Sequence, residues 1–287
     1  MSRTRDPRTG CASAVLPVPN RFYARMQMKA GYQEYRVAAL DSRIVEALWS
    51  FKPYRADDHR VLPDGRIDLL MRFNLIGDGR IADARPVIAG PAQRYVTVPA
   101  GSTTGFVGIR FRPGWGAACL GLSAHGIKNS ALIRVEAKAA LGALAIPLLH
   151  AGSTDELECR LIDTVRILTD RQSQSVQHAR IIHSVQRLES SGGRQSVIAL
   201  AEEIGISVRT LHRDFTSVVG LPVKSFASIV RFQRAMRSLH ARPFMALAEL
   251  AIECGYSDQA HMTREFRSLG GFTPSARPDV PIINLPH

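Results

Sequence analysis

The chain has 287 residues, of which 45% are apolar, and a formal net charge of +12. The apolar content is sufficient for packed cores and excludes a wholly disordered chain, and the length suits two domains of ordinary size. The positive charge favours a polyanionic partner, nucleic acid before membrane, although a merely soluble basic protein has the same charge balance.

The N-terminal stretch and the cysteines indicate the cellular compartment. Residues 1–30 are predicted to form a flexible basic arm, and they lack the apolar core of a signal peptide. The most apolar run, 139–149, is too short to span a bilayer. The four cysteines are far apart, show no metal-ligand spacing and favour a reducing compartment. We therefore expect a cytoplasmic protein with no membrane partner, no metal and no cofactor.

Residues 31–175 are predicted to form a sensor or dimerisation domain. Its first part contains short apolar runs such as 67–73 and 106–111, which are separated by Gly, Pro and Asp residues. This alternation is typical of many short strands joined by tight turns, and it indicates a small β-barrel or sandwich. The texture becomes helical after Pro113, and 155–169 carries an apolar stripe at helical spacing. The predicted fold class is α+β.

One stretch of this domain is rich in acids and histidine: Asp57, Asp58, His59, Asp64 and Asp68. Such groups are able to build a metal or acid–base site. Solvation at turns and strand edges is the simpler interpretation, and the sequence has no nucleophile elbow and no phosphate-binding glycine loop. We therefore predict no catalytic residues, and an enzyme with a DNA-binding tail stays as an alternative.

The region 176–287 contains an internal repeat. Residues 201–207, Ala-Glu-Glu-Ile-Gly-Ile-Ser, return in outline at 251–257 as Ala-Ile-Glu-Cys-Gly-Tyr-Ser. A repeat of this kind indicates one supersecondary unit that is used twice. A glycine turn followed by a serine cap, between two helical segments, predicts a helix-turn-helix. The predicted bounds are 197–218 for the first unit, 223–240 for a linking helix and 246–269 for the second unit.

In the first unit, the outer face of the second helix carries the predicted base contacts. Three apolar residues spaced i, i+4, i+7 are expected to face the core: Leu211, Phe215 and Val218. Arg209, His212 and Arg213 then lie on the opposite stripe. Arginine is able to bond guanine in the major groove, and histidine is able to donate or accept there. A solvated polar face is the alternative, but the preceding helix-turn pattern favours DNA.

The same spacing argument applies to the second helix of the second unit. We expect its core residues to be Met262, Phe266 and Leu269, and its base contacts to be Ala260, His261 and Arg264. The predicted phosphate contacts of both units are Ser207, Lys224, Arg231, Ser257, Gln259 and Arg267. At 1.5 Å per residue the linking helix is roughly 26 Å long. It would hold the two units near one DNA turn apart, about 34 Å.

The C-terminal hundred residues resemble the AraC/XylS-type DNA-binding domain of bacterial transcription regulators. The resemblance is carried by 205–215, by 248–266 and by the closing run Gly271-Phe272-Thr273-Pro274. It implies two helix-turn-helix units with the contact residues named above. The N-terminal part, through 61–69 and 108–114, more loosely resembles the sensor half of some of these regulators. This second resemblance implies a cupin-like β domain that binds a small molecule or pairs subunits.

Together these features predict a sequence-specific DNA-binding regulator of transcription, and the family resemblance favours an activator. The expected partners are double-stranded DNA, RNA polymerase, a small-molecule effector and a second copy of the chain in a homodimer. A purely architectural DNA binder is the other alternative. Because the two contact faces differ, one chain is predicted to recognise an asymmetric site, with the first unit as the main source of specificity.

Overall fold

The computed structural model describes residues 31–52, 58–76, 80–99, 101–172 and 175–276, together with the backbone of two short strands. The strands are β1 Val15–Pro17, β2 Tyr32–Val37, β3 Val45–Phe51, β4 His59–Val61, β5 Ile67–Leu75, β6 Ile81–Ala89, β7 Val96–Val98, β8 Thr104–Phe111, β9 Ala131–Ile133 and β10 Ile282–Ile283. The helices are α1 Gly116–Leu120, α2 Val135–Leu141, α3 Ala145–Leu149, α4 Thr154–Asp170, α5 Val176–Ser190, α6 Val197–Glu203, α7 Val208–Val219, α8 Val223–Ala241, α9 Leu247–Glu253 and α10 Gln259–Gly270.

Seven strands form one antiparallel sheet in the order β1-β2-β3-β8-β5-β6-β9. Because successive side chains of a strand point to opposite faces, β5 divides its residues between two layers. Its odd-numbered residues pack into a core that also contains the apolar stripe of α4: Leu157, Leu161, Ile162, Val165 and Leu168. One face of the sheet is therefore covered by helices, as the mixed texture of the sequence predicts.

The opposite face of the sheet is partly covered by a second, smaller sheet in the order β10-β4-β7. Val61 of β4 and Val98 of β7 pack against a cluster that includes Phe51 and Phe106. In the described part of the chain, the large sheet has β1 and β9 at its edges and does not close into a barrel. Of the two predicted forms, barrel or sandwich, the arrangement is sandwich-like.

The predicted basic arm is only partly described. Residues 15–17 form the edge strand β1, in which Val15 pairs with Val37 of β2. These three residues are therefore part of the sheet instead of a flexible arm. The rest of the predicted arm, 1–14 and 18–30, lies outside the described residues.

The acid- and histidine-rich stretch is not a set of solvated turns. His59, Asp64 and Asp68 are only 4%, 8% and 7% exposed. Asp68 accepts a hydrogen bond from the Trp49 indole at 2.7 Å and lies 3.4 Å from the Arg110 guanidinium. The solvation prediction is therefore wrong for these three residues, because tertiary packing covers them.

The other two members of that stretch differ from these three. Asp58 is exposed, as expected, and Asp57 lies outside the described residues. Among the residues that the structure describes, no three histidine, cysteine or acidic side chains are grouped so that they could hold a metal ion.

A second core joins α5 to α10, and its largest fully buried side chains are four phenylalanines: Phe215, Phe226, Phe232 and Phe266. Helix α5 contributes Ile181, Val185 and Leu188 to it. Leu62, from the turn between β4 and β5, also belongs to this core. The N-terminal domain therefore contributes Leu62 to the core of the C-terminal helices, and the partly buried Tyr95 packs against the same core.

Two further features bear on the expected compartment. Within the described ranges, no single helix is long and apolar enough to cross a membrane, while α7 and α8, bent by 62°, meet those criteria only as a pair. Cys119 and Cys254 have free, buried thiols, whereas Cys159 is disulfide-bonded. The cysteines therefore do not by themselves support a reducing compartment.

Candidate DNA interface

The two predicted helix-turn-helix units turn with the same backbone hydrogen bonds. In each, the N–H of the turn glycine donates to the carbonyl three residues back, and the next N–H donates to the carbonyl five residues back. The distances are 3.1 and 3.0 Å for Gly205 and Ile206, and 3.0 and 2.9 Å for Gly255 and Tyr256. The two glycines have φ of +68° and +85°, a region that favours glycine. The sequence repeat is thus a repeat of local structure.

The second turn is one residue longer than the first. Ser207 caps α7 by accepting a hydrogen bond from the Thr210 N–H at 3.1 Å. In the second unit Asp258, and not the expected Ser257, is the cap, and it accepts from the His261 N–H at 2.6 Å. Because α7 begins at residue 208 and α10 at residue 259, each position of α7 corresponds to the position 51 residues later.

We call α7 the first recognition helix. Leu211 and Phe215 are fully buried, as predicted, but the third core residue is Val219, at 1% exposure. Val218 is only half-buried. The outer face carries Arg209 and Arg213, both exposed, together with the half-buried His212. The three predicted base contacts of the first unit therefore lie on one side of the helix, away from its core residues.

Arg213 pairs with its neighbour Asp214, whose Oδ1 lies 2.9 Å from the Arg213 Nε. The Arg213 side chain is 74% exposed, so solvent screens this ion pair strongly. A guanidinium has five N–H donors, and this bond uses one of them. The exposed guanidinium therefore keeps donors that are able to bind a base or a phosphate.

Helix α10 is the second recognition helix. Met262, Phe266 and Leu269 are buried, as predicted, and Ala260 and Arg264 are exposed on the outer face. Of the predicted base contacts in this unit, these two therefore occupy positions that correspond to Arg209 and Arg213 in the first unit.

His261 differs from the other predicted base contacts. Its Nδ1 lies 3.2 Å from the Ser257 hydroxyl, and its ring meets the Tyr256 ring edge-on at 5.3 Å. Its Nε2 lies 3.8 Å from Glu265. The side chain therefore has contacts with the protein on several sides and is less free than an outward-pointing residue.

The offset between the two helices pairs His261 with Thr210, and it pairs His212 with Thr263. Thr263 is half-buried, and its hydroxyl donates to the Gln259 carbonyl at 2.9 Å. Thr263 therefore occupies the position that corresponds to His212, and the sequence analysis did not identify it. Counting from the start of each helix, instead of from each turn glycine, would have found it.

Five of the six predicted phosphate contacts are exposed: Ser207, Lys224, Ser257, Gln259 and Arg267. Arg231 is different, because its side chain is only 16% exposed. It donates from Nη2 to Glu265 Oε1 at 2.7 Å, and its guanidinium lies 5.0 Å from the Tyr256 ring centroid. Burial alone would lower the Arg231 pKa, but the hydrogen bond and charge of Glu265 raise it. This geometry argues against phosphate contact, because the guanidinium joins α8 to α10.

A cation of the N-terminal domain lies beside the second recognition helix. Arg94 lines an open groove together with Arg264 and Arg267. The groove thus combines three positive side chains from two parts of the chain. No pattern in the sequence near Arg94 indicates this placement, since it depends on how the two domains pack.

Two family models match the chain. A helix-turn-helix domain model matches residues 200–277, and a model described as a domain of unknown function (DUF6597) matches residues 38–132. The transcriptional activator RhaS of Escherichia coli (strain SE11) is 32% identical over 76 residues, and RhaS of E. coli O1:K1 / APEC is 30% identical over the same length. Each match covers 26% of this chain and 27% of the relative, so the chain matches about a quarter of the length of these relatives.

Among solved structures, ToxT from Vibrio cholerae aligns over 79% of this chain and 96% of its own, at 10% identity and a TM-score of 0.43. That similarity is low. The helix-turn-helix model covers both of the repeated turns described above. The C-terminal part of this chain is therefore an AraC-type double helix-turn-helix domain, the DNA-binding domain of the transcription regulators of that family.

Proposed function

We propose that the protein is a sequence-specific regulator of transcription whose two recognition helices enter successive major grooves of one DNA duplex. The observation that carries this proposal is the repeated turn, which presents an exposed arginine at equivalent positions, Arg213 and Arg264. Helix-turn-helix proteins place residues of this helix against base edges. The proposed base contacts are Arg209, His212 and Arg213 of the first unit, and Ala260, Thr263 and Arg264 of the second.

The distance between the two units suits this mode of binding. The linking helix α8 has 19 residues, and at 1.5 Å per residue it is about 28 Å long. Successive major grooves on one side of the duplex are about 34 Å apart. Because Arg209 has Ala260 as its counterpart, the two halves of the site differ, and one chain would recognise an asymmetric sequence.

We also propose that the protein is an activator that acts on RNA polymerase in the cytoplasm. The support for activation is the similarity to RhaS, which is an HTH-type transcriptional activator. The N-terminal domain would control binding by taking up a small-molecule effector or by pairing two copies of the chain. A ligand shifts such an equilibrium only by the difference between its affinities for the two states.

The test is binding of the full chain to genomic fragments, measured by gel shift over a range of salt concentrations. The proposal predicts a small set of preferred fragments and a steep fall of affinity with salt, because several phosphates are neutralised. Equal affinity for all fragments would support an architectural DNA binder instead. Loss of a catalytic turnover on mutating Asp64 or His59 would support an enzyme with a DNA-binding tail.

A further inference from the structure

The N-terminal domain contains a cavity of about 490 Å³ between the large sheet and the small sheet. Most of its walls are apolar, and they include three aromatic side chains: Trp49, Phe51 and Phe106. Small-molecule sites have this character, with a volume of about 300–1,000 Å³, apolar walls and a few placed polar groups. The cavity is therefore of the size and composition that a small organic molecule needs.

Two polar side chains of the cavity wall are buried without complete hydrogen bonding. His59 is 4% exposed and Asp64 is 8% exposed. The His59 Nδ1 and the Asp64 Oδ2 have no hydrogen-bond partner. Asp64 Oδ2 does lie 3.5 Å from the Arg110 Nε, within ion-pair range but outside hydrogen-bond geometry. A buried polar atom without a hydrogen-bond partner destabilises the folded protein, so a ligand that bonds these atoms removes that cost.

The chemistry of these atoms selects the ligand. Asp64 offers a carboxylate oxygen, which only accepts. Burial lowers the pKa of His59 to about 4, so its ring is neutral near pH 7 and forms one bond as donor and one as acceptor. A hydroxyl or amine suits both residues. The Arg66 guanidinium, which also lines the cavity, is already paired with Glu46.

An anionic ligand would have to use a different residue. Arg72 lines the same cavity and is half-buried. A half-buried guanidinium can be solvated, so it does not require a partner as the two buried atoms do. The two buried atoms without hydrogen-bond partners therefore favour a ligand with a hydrogen-bond donor over a carboxylate.

One wall of the cavity is in contact with the DNA-binding domain. His59 and Val61 of β4 line the cavity, whereas Arg60 between them donates from Nη1 to the Gly270 carbonyl at 2.9 Å. Val96 of β7 lines the cavity, and the preceding Tyr95 donates its N–H to the Leu269 carbonyl at 2.8 Å. Both carbonyls lie in the last turn of the second recognition helix.

The turn that follows β4 also contacts both the cavity and the DNA-binding domain. Leu62 and Asp64 line the cavity, and Leu62 also belongs to the core of the C-terminal domain. The Gln233 side chain of α8, 4% exposed, donates to the Pro63 carbonyl at 2.6 Å. A movement of the cavity wall therefore acts directly on α8 and α10.

We propose that this cavity binds a small, mostly apolar aromatic molecule with a hydroxyl or amine donor, and that the bound molecule shifts β4 and β7 against the second recognition helix. The regulatory clause rests on the proposed function, but the binding clause does not. Binding to the cavity is therefore measured without DNA, and the effect on DNA is measured separately.

Binding is tested with three matched probes on the full chain: indole, 1-methylindole and indole-3-carboxylate. Ligand-observed NMR titration gives the affinity, and the melting temperature gives an independent readout. Indole should bind about tenfold more tightly than 1-methylindole, because only indole donates from its ring nitrogen. Absence of indole binding, or equal affinity for the two, overturns the binding clause. Tightest binding of the carboxylate shows that Arg72 selects an anion and also overturns it.

Two variants locate the site. Asp64→Asn replaces the accepting Oδ2 with a donor and should remove the preference for indole. Ala89→Phe, at another lining position, should fill part of the cavity and weaken the binding of all three probes. This variant still tests the site if Asp64→Asn does not fold. Asp41→Asn, at a surface ion pair, is the control and should leave binding unchanged. Unchanged indole binding in both cavity variants would place the ligand elsewhere and overturn the proposal.

The regulatory clause is tested by fluorescence anisotropy with a preferred DNA fragment, with and without indole. Occupancy should change the DNA affinity of the full chain, and Arg60→Ala should remove that change while it leaves indole binding intact. An unchanged DNA affinity at saturating indole overturns the regulatory clause alone. If no fragment is preferred, the proposed function fails, while the probe titrations still decide the binding clause.

Discussion

The two helix-turn-helix units have the same backbone design and different surroundings. Their turns share hydrogen bonds and glycine conformations, but the first recognition helix presents Arg209 and Arg213 where the second presents Ala260 and Arg264. The acid next to the shared arginine differs as well. Asp214 pairs with its exposed neighbour, whereas Glu265 pairs with the half-buried Arg231 of α8.

The second unit also receives hydrogen bonds from the N-terminal domain at its last helical turn, through Arg60 and the Tyr95 backbone. The comparison therefore separates two roles. The first recognition helix presents two exposed arginines where the second presents one, and the second unit is the one that the cavity wall of the N-terminal domain touches through β4 and β7. The two copies of the motif therefore share their backbone structure but differ in their surroundings.

The largest expected effect distinguishes the two contact faces. Arg213→Ala should weaken binding to the preferred site by about 1–3 kcal/mol and relax sequence choice in one half of it. Arg264→Ala should do the same in the other half. Lys224→Ala is the phosphate control, and it should weaken binding to all sequences alike and reduce the salt slope by about one. Anisotropy titrations on single-base variants of the site measure this, and a uniform loss for Arg213→Ala would make it a phosphate contact.

A second effect, on the free energy of unfolding, distinguishes the two acidic residues Asp214 and Glu265. Glu265→Gln leaves the half-buried Arg231 without its charge partner and should lower the free energy of unfolding by about 1–3 kcal/mol. Removing the charge of Asp214 with Asp214→Asn should cost about 0–1 kcal/mol, since its partner is exposed. Urea unfolding of both variants compares them. Equal costs would mean that the Arg231 ion pair does not hold the second unit in place.

A smaller effect distinguishes the two caps. Ser207→Ala removes the cap of α7 and should lower the free energy of unfolding by about 1 kcal/mol. Ser257, its counterpart in the sequence repeat, precedes the true cap, so Ser257→Ala should change stability by less than about 0.5 kcal/mol. Thermal melts of the two variants test the order. A larger loss for Ser257→Ala would contradict the one-residue difference between the turns.

The smallest effect concerns pH. The hydrogen bond from the His261 N–H lowers the pKa of Asp258 below its ordinary value of 3.8. The cap of α10 is therefore fully effective above pH 3.8 and is lost as the pH falls through the lowered pKa. Asp258→Asn should remove this component of the acid dependence, whereas Ser207→Ala should leave it unchanged. The test is to measure the free energy of unfolding of both variants and the wild type as a function of pH. Identical acid slopes in the wild type and Asp258→Asn would contradict the prediction.

The sequence was most informative where local chemistry determines structure. The glycine turns, the Ser207 cap and the buried positions Leu211, Phe215, Met262 and Phe266 follow from residue type and spacing, and the structure has them all. The helix ends lie within one residue of the predicted bounds of the two units. The AraC-type resemblance is likewise carried by these local features.

The errors arose where distant segments meet. Arg231 has the spacing of a solvent-facing cation, but Glu265, 34 residues later, pairs with it. His59, Asp64 and Asp68 have the composition of solvated turns, but the fold buries them. Both of these outcomes depend on residues that are distant in sequence. His261 is a different case, because its correspondence with Thr210 instead of His212 follows from one extra residue in the second turn, which is a local feature.

Recognition of an asymmetric site by one chain, through two different faces, is tested by selecting preferred sequences from a random duplex library with the wild type, Arg213→Ala and Arg264→Ala. We expect a site of two unlike halves, about 10 base pairs apart, in which each variant loses preference in its own half only. A palindromic site with like halves, or loss of both halves in either variant, would contradict it.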